Sequence, residues 1–174
     1  MNFTRKNIVL FISSIAILLV SLCAGPAAFG KGQQLVSESI KGTNFTIDIP
    51  AGWKQGAISG KSILLCRSPD GGLYPNINIA VMQQEYDSLQ DAHKNVVGLL
   101  PNPQIFQEEQ VTVNGIPGYF SAITWMSPLG GLKALRLLVQ DKEQHILLIT
   151  YVGRDSKMTA EDVQLYLKSI NSIR

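Results

Sequence analysis

From Phe45 onward, apolar and polar residues alternate in short runs punctuated by Gly and Pro, and two stretches switch to the longer period of a helix. Phe45, Ile47 and Ile49 alternate with Thr46 and Asp48, as in a strand with one buried face, and Pro50-Ala51-Gly52 closes it in a turn. Trp53 opens a short stretch closed by Gly56 and Gly60. Ile63-Leu64-Leu65-Cys66 reads as a buried strand, Ser68–Pro75 as a loop, and Ile77, Ile79 and Val81 as one face of the next strand. Leu89, Ala92, Val96, Val97 and Leu100 then fall on one stripe of a 3.6-residue period, predicting a helix from about Ser88 to Leu100. Ser88 is its N-cap, with Asp91 in the reciprocal position, and Pro101 and Pro103 stop it.

Four further strands are predicted at Ile105–Val113, Ile116–Trp125, Leu132–Val139 and Ile146–Val152. Asn114-Gly115 joins the first two, and both residue types tolerate the positive φ of a type I′ turn. Pro117 fits a strand edge or end. Links as short as Ser127–Gly131 and Asp141–Gln144 require antiparallel neighbours, so the central sheet is a meander. A closing helix from about Ala160 to Ile173 buries Ala160, Val163, Leu167 and Ile170. Thr159 and Asp162 form its capping box, and Met158 staples onto Val163. Two amphipathic helices and a mostly antiparallel sheet make an α+β domain with a helix on each sheet face.

The N-terminus changes the picture of where this domain works. Arg5 and Lys6 precede an apolar run, Ile8–Gly25, that is longer than the roughly 7–15 residues of a signal-peptide core and shorter than the roughly 20 of a membrane span. Ser13, Ser14 and Ser21 dilute the run, Gly25-Pro26 breaks it, and Ala28 and Gly30 supply the small residues a signal peptidase needs. The sequence therefore favours a signal peptide over residues 1–30, cleaved between Gly30 and Lys31, over a retained anchor. Lipid attachment at Cys23 is the minority reading, because Leu22 is not the small residue that should precede it. Lys31–Thr43 reads as a polar tether, and residues 44–174 as the domain, placed outside the cytoplasm.

Without Arg5 and Lys6 the 15 basic residues of the chain fall to 13, equal to the 13 acidic ones. A neutral chain with no basic run has no field to gather nucleic acid. Only Cys66 remains after cleavage, so no disulfide forms within the mature chain, and its apolar setting reads as a small core residue.

Reactive constellations are hard to find. Gly60-Lys61-Ser62 has the tail of a phosphate loop, but Gln55 stands where the first glycine should be. His93 falls on or beside the apolar stripe of the first helix, at the margin of a core, and His145 follows a charged turn in solvent. Neither belongs to a zinc-ligand pair, and no G-x-S-x-G elbow is present. Glu108 and Glu109 point to opposite faces of a strand. Glu85, Asp87 and Asp91 are explained by helix capping, with a weak calcium site as the lesser reading. The best contact surface lies on two loops carrying Leu73 and Tyr74, and Met126 and Leu129.

The run Phe45-Thr46-Ile47-Asp48-Ile49-Pro50-Ala51-Gly52-Trp53, the hairpin Asn114-Gly115-Ile116-Pro117-Gly118-Tyr119 and the ending Ser169-Ile170-Asn171-Ser172-Ile173 resemble the PsbP-like domain family, including DcrB-like bacterial exported proteins. The likeness spans about residues 44–173. The chain has Ser172-Ile173 where that family usually ends in Ser-Phe. The resemblance implies an α/β/α sandwich around a mostly antiparallel sheet. It also places the chain beside photosystem II extrinsic subunits that help retain calcium and chloride, Ran-binding import factors and bacterial proteins of undefined role. Ran binding conflicts with an export leader, and no photosystem contact residue carries over. The expectation is an exported, non-catalytic accessory protein with no cofactor, meeting a protein partner at the outer face of a membrane. A small-molecule or calcium-like metal-binding module is the alternative, and an unrecognised hydrolase a third.

Overall fold

The computed structural model of the chain describes residues 34–56, 62–69, 74–82, 85–140 and 145–174. Nine strands, two α-helices and one 3₁₀ turn occur among them, in the order β1 (Leu35–Ser39), β2 (Thr46–Pro50), β3 (Lys54–Gln55), β4 (Ser62–Arg67), β5 (Asn76–Met82), α1 (Leu89–Gly98), β6 (Gln104–Val113), β7 (Ile116–Ser127), β8 (Gly130–Gln140), β9 (Ile146–Arg154), the 3₁₀ turn Asp155–Lys157 and α2 (Ala160–Ile170). β1 and β2 form a separate antiparallel ribbon. The other seven form one antiparallel sheet in the order β3-β4-β5-β9-β8-β7-β6.

That order follows from the connections. The meander β6 to β9 is built from hairpins, while the segment holding α1 carries the chain from β5 to the far edge, so that β9 returns beside β5. Asn114 and Gly115 adopt φ of 50° and 81°, the two left-handed positions a type I′ turn demands. The predicted meander and the helix on each face are both present.

Alternation along the strands divides the core in two. Leu135, Leu137, Val139, Leu147, Ile149 and Tyr151 face the ribbon and α2, where Ile40, Phe45, Ile47, Ile49, Tyr166, Ile170 and Ile173 meet them. Tyr119, Leu138 and Ile146 face the other way and meet Ala92 of α1, with Leu89 and Tyr86 beside it. Ser88 caps α1 by accepting from the Asp91 amide, and Thr159 and Asp162 form the reciprocal capping box of α2.

Strand and helix ends shift by one or two residues from the expectation, and two departures are larger. Leu35–Ser39, part of the stretch read as a tether, pairs along its whole length with β2, and Ile40 is buried. Its burial alternates poorly, with Val36, Ser37 and Ser39 exposed, because backbone pairing rather than a buried face holds it. α2 ends at Ile170 rather than Ile173: Asn171 caps it, and Ser172 and Ile173 continue as turns donating to Ser169 and Ile170 carbonyls. Ile173 is nonetheless fully buried. The last residues are sewn to the ribbon, since Thr46 and Arg174 exchange backbone hydrogen bonds and Ser169 Oγ donates to the Asp48 carbonyl.

Candidate functional site

At the end of the sheet where β5 begins and β9 ends, Tyr74, Pro75, Leu129, Tyr151, Gly153, Arg154, Lys157, Met158 and Asp162 line a cleft of about 400 Å³. Each is placed by local structure. Ser127 Oγ accepts from the Leu129 amide at 3.1 Å and donates to the Gly130 carbonyl at 2.8 Å, and Gly130 takes φ 102°, so the turn pushes Leu129 outward. Gly153 lets Met158 close over β9, for a Cβ there would sit 3.0 Å from Met158 Cε. Arg154 and Lys157 are exposed at the rim.

The floor of the cleft is aromatic. Tyr151 lies between Trp53, at 6.2 Å between ring centroids, and Tyr166, at 5.2 Å. Its hydroxyl is buried without a hydrogen-bond partner among the described residues. Burial first, and then the nearby Asp162 carboxylate, push its proton affinity well above that of an ordinary tyrosine, so the cleft presents a neutral O–H. The Asp162 carboxylate is already engaged by the Thr159 amide at 2.8 Å.

Of the loop residues singled out in the sequence, Tyr74 and Leu129 line this one cleft, although 54 residues of chain separate them. Met126 is exposed on β7 opposite Gly131, one turn from Leu129. Leu73 lies outside the described residues, as do Cys23, Gly30, Lys31, Gly60 and Lys61.

The remaining candidates have settled surroundings. Cys66 is fully buried, and burial pushes its thiol up to about 11, which makes it unreactive. His145 is exposed at the entrance to β9. His93 lies deeper than the core margin expected for it: 1% of its surface is exposed, its ring meets Tyr119 at 5.0 Å, and its Nδ1 is 3.6 Å from Glu108. Glu85, Asp87 and Asp91 form no grouping of metal-ligating type; none occurs among the described residues.

A second polar feature was missed from sequence. Strand register aligns Glu108, Ser121, Arg136, Thr150 and Asn78 across β6, β7, β8, β9 and β5, all on the α1 face. Arg136 is 5% exposed, and burial holds its guanidinium below the usual range, at about 10. The signal was a single Arg interrupting Leu132–Val139, otherwise an almost wholly apolar strand.

Comparison with known proteins bears on the fold. The cyanobacterial PsbP protein CyanoP of Synechocystis, solved in solution, superposes with a TM-score of 0.59 at 11% identity, covering 87% of this chain and 98% of its own. The domain has the PsbP-like fold. LpqN of Mycobacterium tuberculosis, described as involved in cell envelope biogenesis, superposes with a TM-score of 0.58 at 14% identity, covering 80% of this chain and 89% of its own. A Pseudomonas aeruginosa protein of unknown function follows at 0.50 and 10%, covering 80% and 95%. No family model and no curated protein matches the chain by sequence. At such identities the PsbP-like likeness extends to architecture, while the cleft and the Arg136 row are argued from this chain's own side chains.

Proposed function

We propose that this chain is an exported, non-catalytic accessory protein of the cell envelope that acts by protein–protein contact, seating an apolar side chain of its partner in the Tyr74–Leu129 cleft. The observation that carries this reading is the convergence of two distant loops on one concavity. Leu129 lines it and Met126 lies one turn away, exposed at 54% and 67%, an apolar pair of the kind that marks an interaction surface. The leader pattern of residues 1–30 and the neutral remainder fit a role outside the cytoplasm, and the same architecture occurs in CyanoP and in LpqN, which is described as involved in cell envelope biogenesis. A photo-crosslinking residue at Leu129 in the exporting cell is expected to capture one discrete partner. Tyr74→Ser should abolish that capture, whereas the same crosslinker at Lys41 should yield none. Equal labelling at both positions would reject this surface.

The cleft also supports a second reading, a small-molecule binding module. Its volume falls within the roughly 300–1,000 Å³ usual for ligand sites, and the Tyr151 hydroxyl offers one fixed polar contact. Thermal shifts with calcium, manganese and lipids separate the readings, because a ligand that prefers the native state raises its melting point.

A further inference from the structure

Five polar atoms on or beside one face of the sheet are buried without hydrogen-bond partners among the described residues: Nε and Nη1 of Arg136, Oγ of Ser121, Oδ1 of Asn78 and Nε2 of His93. They are not scattered. Ser121, Arg136 and Asn78 belong to the register-aligned row, with Thr150 between the last two, and His93 descends on the row from α1. Folded proteins leave few such groups unmet, and a buried guanidinium without a counterion is among the least favourable. The acid within the row, Glu108, stands two strands from Arg136 and faces His93. Partial compensation comes from Trp125, whose ring lies 5.7 Å from the Arg136 guanidinium.

We propose that this row is a receptor for a single carboxylate on an apolar body, with Arg136 as the charge partner and Ser121 and Asn78 as flanking polar contacts. Arg136 is flanked by the neutral Ser121, Thr150 and Asn78, with Glu108 two strands away and turned to His93; one positive charge in that setting matches one negative charge, whereas a doubly charged phosphate would need a second cation in the row. Asn78 itself and the neighbours Trp125, Val152 and Ala80 are partly exposed, so the row is approachable from the β5 side. Apolar Val152 and Ala80, on either side of the Thr150–Asn78 pair and partly exposed, suit the body of the ligand.

The test is a thermal-shift titration with butyrate and hexanoate against their neutral amides, together with one peptide carrying a free and an amidated C-terminus. A carboxylate at roughly a hundred times its Kd should raise the melting temperature by roughly 5–10 °C, and the amides should not. Response to the small acids assigns the carboxylate to a free metabolite-like molecule; response confined to the free-terminus peptide assigns it to a protein end. Arg136→Met should remove the response and, in ligand-free buffer, melt higher than the parent, because it relieves an unpaired buried charge. Ser121→Ala, a milder change, should weaken the response several-fold. Tyr74→Ser with Leu129→Ser should leave it intact, which keeps this site's failure separate from that of the cleft. Equal shifts from acid and amide, no shift from any probe, or a ligand-free Arg136→Met that melts lower would each overturn the proposal and leave the row a water-filled structural feature.

Discussion

His93 shows how one side chain couples burial to pH. Burial lowers its proton affinity, Glu108 raises it in part, and Arg136 lowers it further, while Tyr119 contributes a neutral ring against it. With the folded value below 6.5, the unfolded chain binds the proton more tightly, so stability is complete above about pH 6.5 and falls as the pH drops from there toward the folded value. His93→Leu should flatten that stretch of a stability–pH curve, which in the parent slopes by at most about 1.4 kcal/mol per pH unit. Urea unfolding between pH 7 and pH 5 measures it, and an unchanged slope would show the imidazole is not the group responsible. Gly118 makes a second residue-scale case. A Cβ there would lie 3.0 Å from both the Leu138 carbonyl oxygen and Leu137 Cδ1, one of them backbone that cannot swing aside. Gly118→Ala should cost about 1–3 kcal/mol, and no loss on chemical denaturation would refute this account of why glycine stands in the Gly115-Ile116-Pro117-Gly118 hairpin.

At the scale of elements, the β6–β7 turn does more than reverse the chain. Asn114 Nδ2 donates to the Asn171 and Ile173 carbonyls at 2.7 and 2.8 Å, tying the hairpin to the end of α2. Asn114→Gly keeps the positive φ and loses both bonds, whereas Asn114→Ala loses the bonds and strains the turn. The first should cost about 1–2 kcal/mol and the second more, and two equal losses on denaturant unfolding would mean that the turn conformation contributes nothing. The Asn-Gly pair was legible as a turn because its chemistry is local. The tie to Asn171 was not, because nothing in the sequence marks a contact across more than fifty residues. Both helices were placed to within a few residues from their caps and stripes, and α2 was overrun because Ile173 is buried without being helical. Tyr74 and Leu129 were chosen as apolar loop residues, but that they share a cleft depends on β9 lying between β5 and β8, a pairing that periodicity does not carry.

For the molecule as a whole, the ribbon decides where the folded unit begins. A chain trimmed to start at Gly42 would lose β1 and Ile40, which is 1% exposed, while one starting at Gln34 keeps both. Losing the Ile40 side chain alone should cost about 2–5 kcal/mol, and the unpaired edge of β2 adds to it. Comparing the denaturation midpoints of the two forms checks this, and coincident midpoints would restore residues 31–43 as a tether. Composition could not reveal the strand, since Ser37, Glu38 and Ser39 look like linker and their pairing with β2 is made by the backbone.

The two tryptophans of the chain are divided between the cleft and the Arg136 row. Trp53 leans on Tyr151 beneath the cleft, and Trp125 shields Arg136 on the opposite face of the sheet. The protein thus carries a built-in optical reporter for each: occupancy of one site should recolour one indole's emission and leave the other's untouched, and a Phe in place of either would reveal which signal has fallen silent.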